Sequence, residues 1–343
     1  MLGRSAVVSD TGRRRRHNED QYVCVPPLFA VADGMGGAQA GEIASGLAAA
    51  VLNEAAGDER GEERVAALIQ EANRRVFQRS SEDAATSGMG TTMTVALVDG
   101  DTIAFGHVGD SRAYRIRGGE LEQLTDDHSL VGELVRSGRL SPEEAEGHPQ
   151  RSVITRALGT EPDVDVDTFT VEAEPGDVYL ICSDGLTDMV PPRELEALLI
   201  GRTDDLDAAA RALVDAANAG GGEDNITVVL FQMASNTPAS SEVTMQSPAV
   251  RMPEPEPEPE AKADDEDTLS GLDPVPAVDT AVISADTVEE QLQQLEREPE
   301  PPEPAPKPAP ATPAKPRRRF GPLIALVLLL AAIGVLLYWG LTR

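Results

Sequence analysis

Along residues 1–234, short runs rich in β-branched and apolar residues alternate with longer stretches in which apolar positions recur every three or four residues. The short runs predict strands over 22–25, 28–32, 92–98, 102–107, 112–117, 164–170, 178–182 and 226–231. The longer stretches predict helices over 40–56, 63–79, 193–200 and 206–218, and in the second of these Val65, Leu68, Ile69, Ala72 and Val76 share one face. Asp99-Gly100 and Gly118-Gly119 punctuate the strands as hairpin turns. Strand pairs joined by tight turns, with helices arriving in pairs, predict a layered α+β domain of largely antiparallel sheets flanked by helices.

Near residue 235 this pattern stops. Of the 26 prolines, 17 lie between Pro238 and Pro316, and no aromatic residue occurs between Phe231 and Phe320. A segment so poor in apolar bulk cannot offset its ordering entropy, so 235–319 is expected to be a Pro/Glu-rich disordered linker with a reach of about 50 Å. Residues 320–341 then run without a charge. As a helix they would extend roughly 33 Å, the thickness of a bilayer core, and are predicted to cross a membrane. Arg317, Arg318 and Arg319 precede the span, Arg343 follows it, and Tyr338 and Trp339 stand where an interfacial aromatic belt belongs. That bias predicts a single-pass protein of the cell membrane with residues 1–234 in the cytoplasm.

The net charge of −30 divides into −21 for 1–234, −10 for 235–319 and +1 from Arg343, which excludes non-specific binding to nucleic acid by the folded part. The polar, Arg-rich first twenty residues lack the apolar segment of a signal peptide. Cys24 and Cys182 make no disulfide framework and sit in apolar runs, as buried thiols of a reducing compartment do.

The candidate chemistry is a scattered set of acidic residues, each beside a small residue and each at the end of a strand-like run. They are Asn18-Glu19-Asp20, Asp33-Gly34-Met35-Gly36-Gly37, Gly109-Asp110-Ser111-Arg112, Ser183-Asp184-Gly185 and Glu223-Asp224-Asn225. A carboxylate just past an apolar strand lies at a sheet rim, and an adjacent glycine lets a carbonyl or ligand approach. Several carboxylates in one cleft repel unless cations hold them; with no Cys/His spacing suited to zinc, magnesium or manganese is the consistent choice.

Singly, such Asp-Gly pairs are ordinary turns. In order, however, Arg15 to Asp20 (Arg-x-x-Asn-Glu-Asp), Ala32 to Gly37, Gly88 to Thr92, Gly106 to Arg112, Cys182 to Asp188 and Asp224 to Thr227 closely resemble the metal-dependent protein phosphatases of type 2C in their bacterial form. The resemblance covers residues 1 to about 233. It implies a four-layer α-β-β-α sandwich, two antiparallel sheets flanked by helix pairs, with two to three Mn2+ or Mg2+ ions in a cleft at one end. By the same resemblance Asp33 bridges two metals, the carbonyl of Gly34 ligates one, and Asp184 and Asp224 ligate the other. Glu19 and Asp20 hold metal-bound waters, Asp110 helps bind a third ion, and Arg15 clamps the substrate phosphate. The implied reaction is hydrolysis of phosphoserine and phosphothreonine by a metal-held hydroxide, with membrane Ser/Thr kinases and their substrates as partners.

Where animal members often carry a histidine after the Asp-Gly pair, this chain has Met35, which leaves the general acid open; His17 is read as a rim residue and His107 as a packed strand histidine. The stretch 126–159, with His128 and His148, corresponds to the family's variable flap and is expected to be loop-rich. Of the arginines Arg13 to Arg16, only Arg15 is expected to face the cleft. A catalytically silent phosphoprotein-binding module is the rival reading, but every ligand position is filled. A hydrolase of small phosphate esters would need a more closed pocket.

Overall fold

In the antiparallel strands Leu2–Asp10 (β1), Asp20–Val25 (β2) and Leu28–Met35 (β3), successive side chains point to opposite faces, and in β3 both faces are covered. Ala30 and Ala32 meet the helices Ala40–Glu54 (α1) and Gly61–Glu82 (α2), while Phe29 and Val31 point into the space between two sheets. That double burial is why β3 reads as a continuous apolar run rather than an alternating one. This computed structural model describes residues 1–234, apart from 37–39, 56–58, 142–143 and 146, together with the pair Ala281–Val282.

The chain continues through Gly90–Thr91 (β4), Met93–Asp99 (β5), Thr102–Val108 (β6), Arg112–Arg117 (β7), Glu120–Gln123 (β8), Leu130–Arg136 (α3), Val153–Ile154 (β9), Asp167–Glu172 (β10) and Val178–Cys182 (β11). It closes with Asp184–Thr187 (α4), Pro192–Ile200 (α5), Leu206–Gly220 (α6) and Ile226–Met233 (β12). One sheet has the order β1-β12-β11-β7-β8 and the other β10-β6-β5-β3-β2, with β4 beside β3. Every pairing within these two sheets is antiparallel. Leu180, Val228 and Leu230 face α5 and α6 in one helix-sheet core, and α1 and α2 build the other. The predicted layering is therefore observed among the described residues.

Between the sheets runs a column of rings. Phe29 and Phe231 stack at 4.2 Å, Phe231 and Tyr179 at 5.1 Å, Tyr179 meets Phe105 at 6.2 Å, and Phe105 stacks on Phe169 at 5.2 Å. On the outer face of β6, a side chain at Gly106 would meet Val65 Cγ1 at 2.4 Å and Ile69 Cδ1 at 2.7 Å, so glycine lets α2 lie directly on the strand.

Several boundaries differ from expectation. The strand expected at 164–170 begins at Asp167, because Val164 instead packs into the core under α2. β1 was not anticipated: only Ala6 of its nine residues is buried, so its sequence has no apolar alternation, and its pairing with β12 makes it a strand. The flap is not all loop. Ser129 Oγ accepts the Gly132 N–H at its N-cap, starting the seven-residue helix α3, whose Leu130, Val131 and Leu134 are buried. Cys182 is buried as expected, Cys24 is only half-buried, and both thiols are free.

Among the described residues no helix is long and apolar enough to cross a membrane, and the span expected at 320–341 lies outside them. So does the expected linker 235–319, except for Ala281–Val282 (β13), which pairs in parallel with β9.

Candidate active site

The acidic motifs fall where strands end. Asp20 opens β2 and Asp33 lies near the end of β3, and the strand register sets these two residues directly opposite each other. Asp110 sits on the turn by which the chain passes from β6 in one sheet to β7 in the other. Asp184 follows β11 at the start of α4, and Asp224 lies two residues before β12 begins.

Hydrogen bonds tie the two sheets together at this end. Ser183 Oγ donates to Asp20 Oδ2 at 2.8 Å, and Asn225 Oδ1 accepts the Glu19 N–H at 2.7 Å. The Asn225 side-chain amide donates in turn to the carbonyls of Thr11 and His17. Thr91 and Thr92 grip the Asp33 backbone: Thr92 Oγ1 accepts its N–H at 3.0 Å, and its carbonyl accepts from Thr91 Oγ1 and the Thr92 amide. The hydroxyls of Ser183 and Ser111 are both occupied, Ser183 by Asp20 and the Thr227 amide and Ser111 by Thr92.

Backbones approach closely here. A Cβ at Gly34 would lie 2.2 Å from the Gly41 carbonyl oxygen and 2.6 Å from that of Glu19, so no residue with a side chain fits this crossing of β3 and α1.

The carboxylates perturb one another. Burial, reinforced by Asp20, Asp184, Asp224 and Asp110, holds the Asp33 pKa well above the ordinary carboxylate value, and burial with Asp110, Asp224, Asp188 and Asp20 does the same to Asp184. Burial pushes Asp20 up to about 6 against hydrogen bonds from Thr227 and Ser183, and burial with the Asp127 charge pushes Asp110 up to about 7. Glu19 is raised mainly by burial.

Oδ1 atoms of Asp20, Asp110 and Asp184 are buried and without a hydrogen-bond partner among the described residues. Buried anionic oxygens of this kind are costly unless a cation meets them. With the constricted backbone at Gly34 they form an all-oxygen donor set that fits a hard divalent ion. No three His, Cys, Asp or Glu side chains among the described residues form a ready cluster of metal ligands, so carbonyl and water oxygens would complete the coordination, as magnesium favours.

Arg15 and Asp224, expected as phosphate clamp and metal ligand, bind each other: Arg15 NH2 donates to Asp224 Oδ2 at 2.8 Å. The other Asp224 oxygen takes the Asn225 amide at 2.7 Å. Arg15 is half-buried whereas Arg13, Arg14 and Arg16 are exposed, so the arginine run presents a single guanidinium to the cleft. His17 is exposed at the rim, and Met35 packs on Ile154 and Ala157 of the flap.

Beside Asp110 and Asp184 a cavity of about 510 Å³ opens between the flap, α3 included, and the segment 184–192, with Val131, Val135, Arg151 and Asp188 in its wall. Asp188, the last residue of the Cys182–Asp188 motif, was given no role by the sequence, although it lies four residues after Asp184, the spacing of one helical turn. Asn225 belonged to a recognised motif, but its bridging role emerges only from the sheet-to-sheet geometry.

Comparison with known proteins agrees with this geometry. The family described as protein phosphatase 2C matches residues 13–217. A serine/threonine phosphatase stp of Listeria monocytogenes is 42% identical over 236 residues, 65% of this chain and 93% of the relative. The crystal structure of the Mycobacterium tuberculosis serine/threonine phosphatase PstP/Ppp is 40% identical, with a TM-score of 0.65 over 68% of this chain and 100% of that one. The catalytic domain of PstP in complex with two manganese ions is 38% identical, with a TM-score of 0.62 over 68% of this chain and 99% of that one.

Proposed function

The chain belongs to the protein phosphatase 2C family, and from that premise we propose that it is a membrane-tethered enzyme that removes phosphate from phosphoserine and phosphothreonine in proteins, opposing bacterial Ser/Thr kinases. It is a metal-dependent protein serine/threonine phosphatase with Mn2+ or Mg2+ as cofactor. The observation that carries the site assignment is the meeting of Asp20, Asp33, Asp110 and Asp184 at one end of the sandwich, three of them with an orphaned buried oxygen.

Asp33, the Gly34 carbonyl, Asp184 and Asp224 would hold the two ions, Asp110 would contribute to a third, and Glu19 and Asp20 would act through water. Bound there, divalent ions supply an acidified water and neutralise the phosphoryl oxygens during in-line attack. The guanidinium fork of Arg15 suits two phosphate oxygens. Arg15 engages Asp224 in this structure, so the guanidinium would be shared between that carboxylate and a bound phosphate.

The tether reading rests on the uncharged segment 320–341 and the arginines before it. A coil of about 50 Å would confine the catalytic block beneath the bilayer and raise its effective concentration toward membrane kinases. Removal of 320–343 is expected to release the protein from membranes, leave hydrolysis of a soluble phosphopeptide unchanged, and slow dephosphorylation of a kinase reconstituted in vesicles. Equal rates on the vesicle-bound kinase with and without the segment would overturn the tether reading.

A further inference from the structure

The turn that carries Asp110 has an unusual support. Gly109 adopts φ +111°, in the left-handed region, and a Cβ there would lie 2.6 Å from the Thr92 side chain. Both of its backbone polar groups are taken by one residue: its N–H donates to His128 Nδ1 at 3.1 Å, and its carbonyl accepts the His128 N–H at 2.7 Å. Asp110 Oδ1 has no hydrogen bond among the described residues to fix it. The backbone next to it therefore helps set the direction of that carboxylate.

His128, near the start of the flap, also ties that start to its far end. Its carbonyl accepts the Thr155 amide at 2.8 Å, and the next residue, Ser129, bridges Ile154. Because Nδ1 accepts from Gly109, the ring proton belongs on Nε2, which donates to Asp167 Oδ2 at 3.1 Å. Arg156 NH1 binds the other Asp167 oxygen at 2.6 Å and lies 3.2 Å from His128 Nε2. With the ring proton on Nε2 both of those groups are donors, so that contact is a close approach held by their shared Asp167 rather than a hydrogen bond. The His107 ring lies 4.7 Å from that of His128. Burial and the Arg156 charge keep His128 below the ordinary histidine pKa, so the neutral ring this pattern requires is favoured. At 3% exposure the ring does not meet substrate in solution.

We propose that His128 is a positioning residue: its Nδ1 clamps the Gly109–Asp110 turn while its backbone joins the two ends of the flap, coupling flap position to the aim of the Asp110 carboxylate at the metal centre. The inference rests on the reading of Asp110 as a metal-centre carboxylate. Partners behind metal ligands commonly alter metal affinity by about 10- to 100-fold when removed.

Two substitutions in the full chain separate the ring's functions. His128→Asn keeps an acceptor near Nδ1 and loses the link to Asp167; His128→Gln places its amide near Nε2 and loses the clamp. The expected result is that His128→Gln weakens Mn2+ binding at one site by about tenfold or more in calorimetric titration. It should also lower kcat with little change in KM for a phosphothreonine peptide. His128→Asn should stay within about threefold of wild type on both measures. Equal Mn2+ affinity in the two variants, or a loss confined to KM, would overturn the proposal. Should either variant fail to fold, the wild-type ring nitrogens, read by long-range proton–nitrogen NMR, decide it: an Nε2–H tautomer supports the clamp and an Nδ1–H tautomer overturns it. Wild-type protein that neither binds Mn2+ nor hydrolyses the peptide would instead overturn the functional reading beneath it.

Discussion

Replacing Asp110 by Asn should stabilise the metal-free protein, and by more at high pH than at low. Asp110 is 7% exposed, and burial with the nearby Asp127 charge raises its pKa to about 7 despite Arg112. In the unfolded chain the group ionises at its ordinary value of 3.8. Between those two values the folded state keeps a proton that the unfolded state has released. Stability of the metal-free protein therefore falls as pH rises through that window, and the loss is complete above it. At about 1.36 kcal/mol per pH unit the full gap is worth about 4 kcal/mol, of which about 2 kcal/mol is already lost near pH 5. Asparagine keeps the shape and has no proton to lose. Asp110→Asn in chelator should thus gain about 2 kcal/mol more near pH 8 than near pH 5, roughly 4–8 °C in Tm for a domain of this size. With saturating Mn2+ the order should invert, because the ion stabilises whichever protein holds it more tightly. Thermal melts of both proteins at the two pH values, with chelator and with Mn2+, make the comparison. A gain that is the same at both pH values, or a loss near pH 8 in chelator, would refute the reasoning.

Asp33→Ala or Asp184→Ala should reduce phosphopeptide hydrolysis to background, and turnover that survives in either variant would remove these residues from the centre. Arg15→Ala should raise KM for a phosphopeptide by about tenfold, the scale of one charge-assisted hydrogen bond, whereas Arg13→Ala should leave it unchanged; equal effects would mean the arginine run acts as a diffuse patch. Gly106→Ala should cost about 1–3 kcal/mol in denaturant melts, because its Cβ would meet Val65 Cγ1 at 2.4 Å, and a neutral result would show that α2 can move off the strand.

What could be read from the sequence was decided by how much local pattern each element carries. α2 and the core strands were visible because Val65, Leu68, Ile69, Ala72 and Val76 repeat on one face and β5, β11 and β12 are mostly apolar. β1 was invisible, since it is made a strand by pairing with β12 over two hundred residues away. α3 was hidden by its length, seven residues being too few to show a period, although Ser129 with Gly132 marks its start. In the site, the acidic residues were found because strand ends and adjacent glycines announce them. The pairing of Arg15 with Asp224 and the bridge through Asn225 depend on two sheets meeting, which no local pattern encodes.

The ring column between the sheets is assembled from phenylalanine and one tyrosine, with no indole. The chain has a single tryptophan, Trp339, and it stands in the apolar C-terminal segment. Selective tryptophan excitation therefore leaves the catalytic block dark and lights that segment alone. A blue shift and resistance to aqueous quencher on adding lipid vesicles would follow its passage into an apolar phase with no label and no mutation. A protein ending at residue 319 would serve as the optical blank.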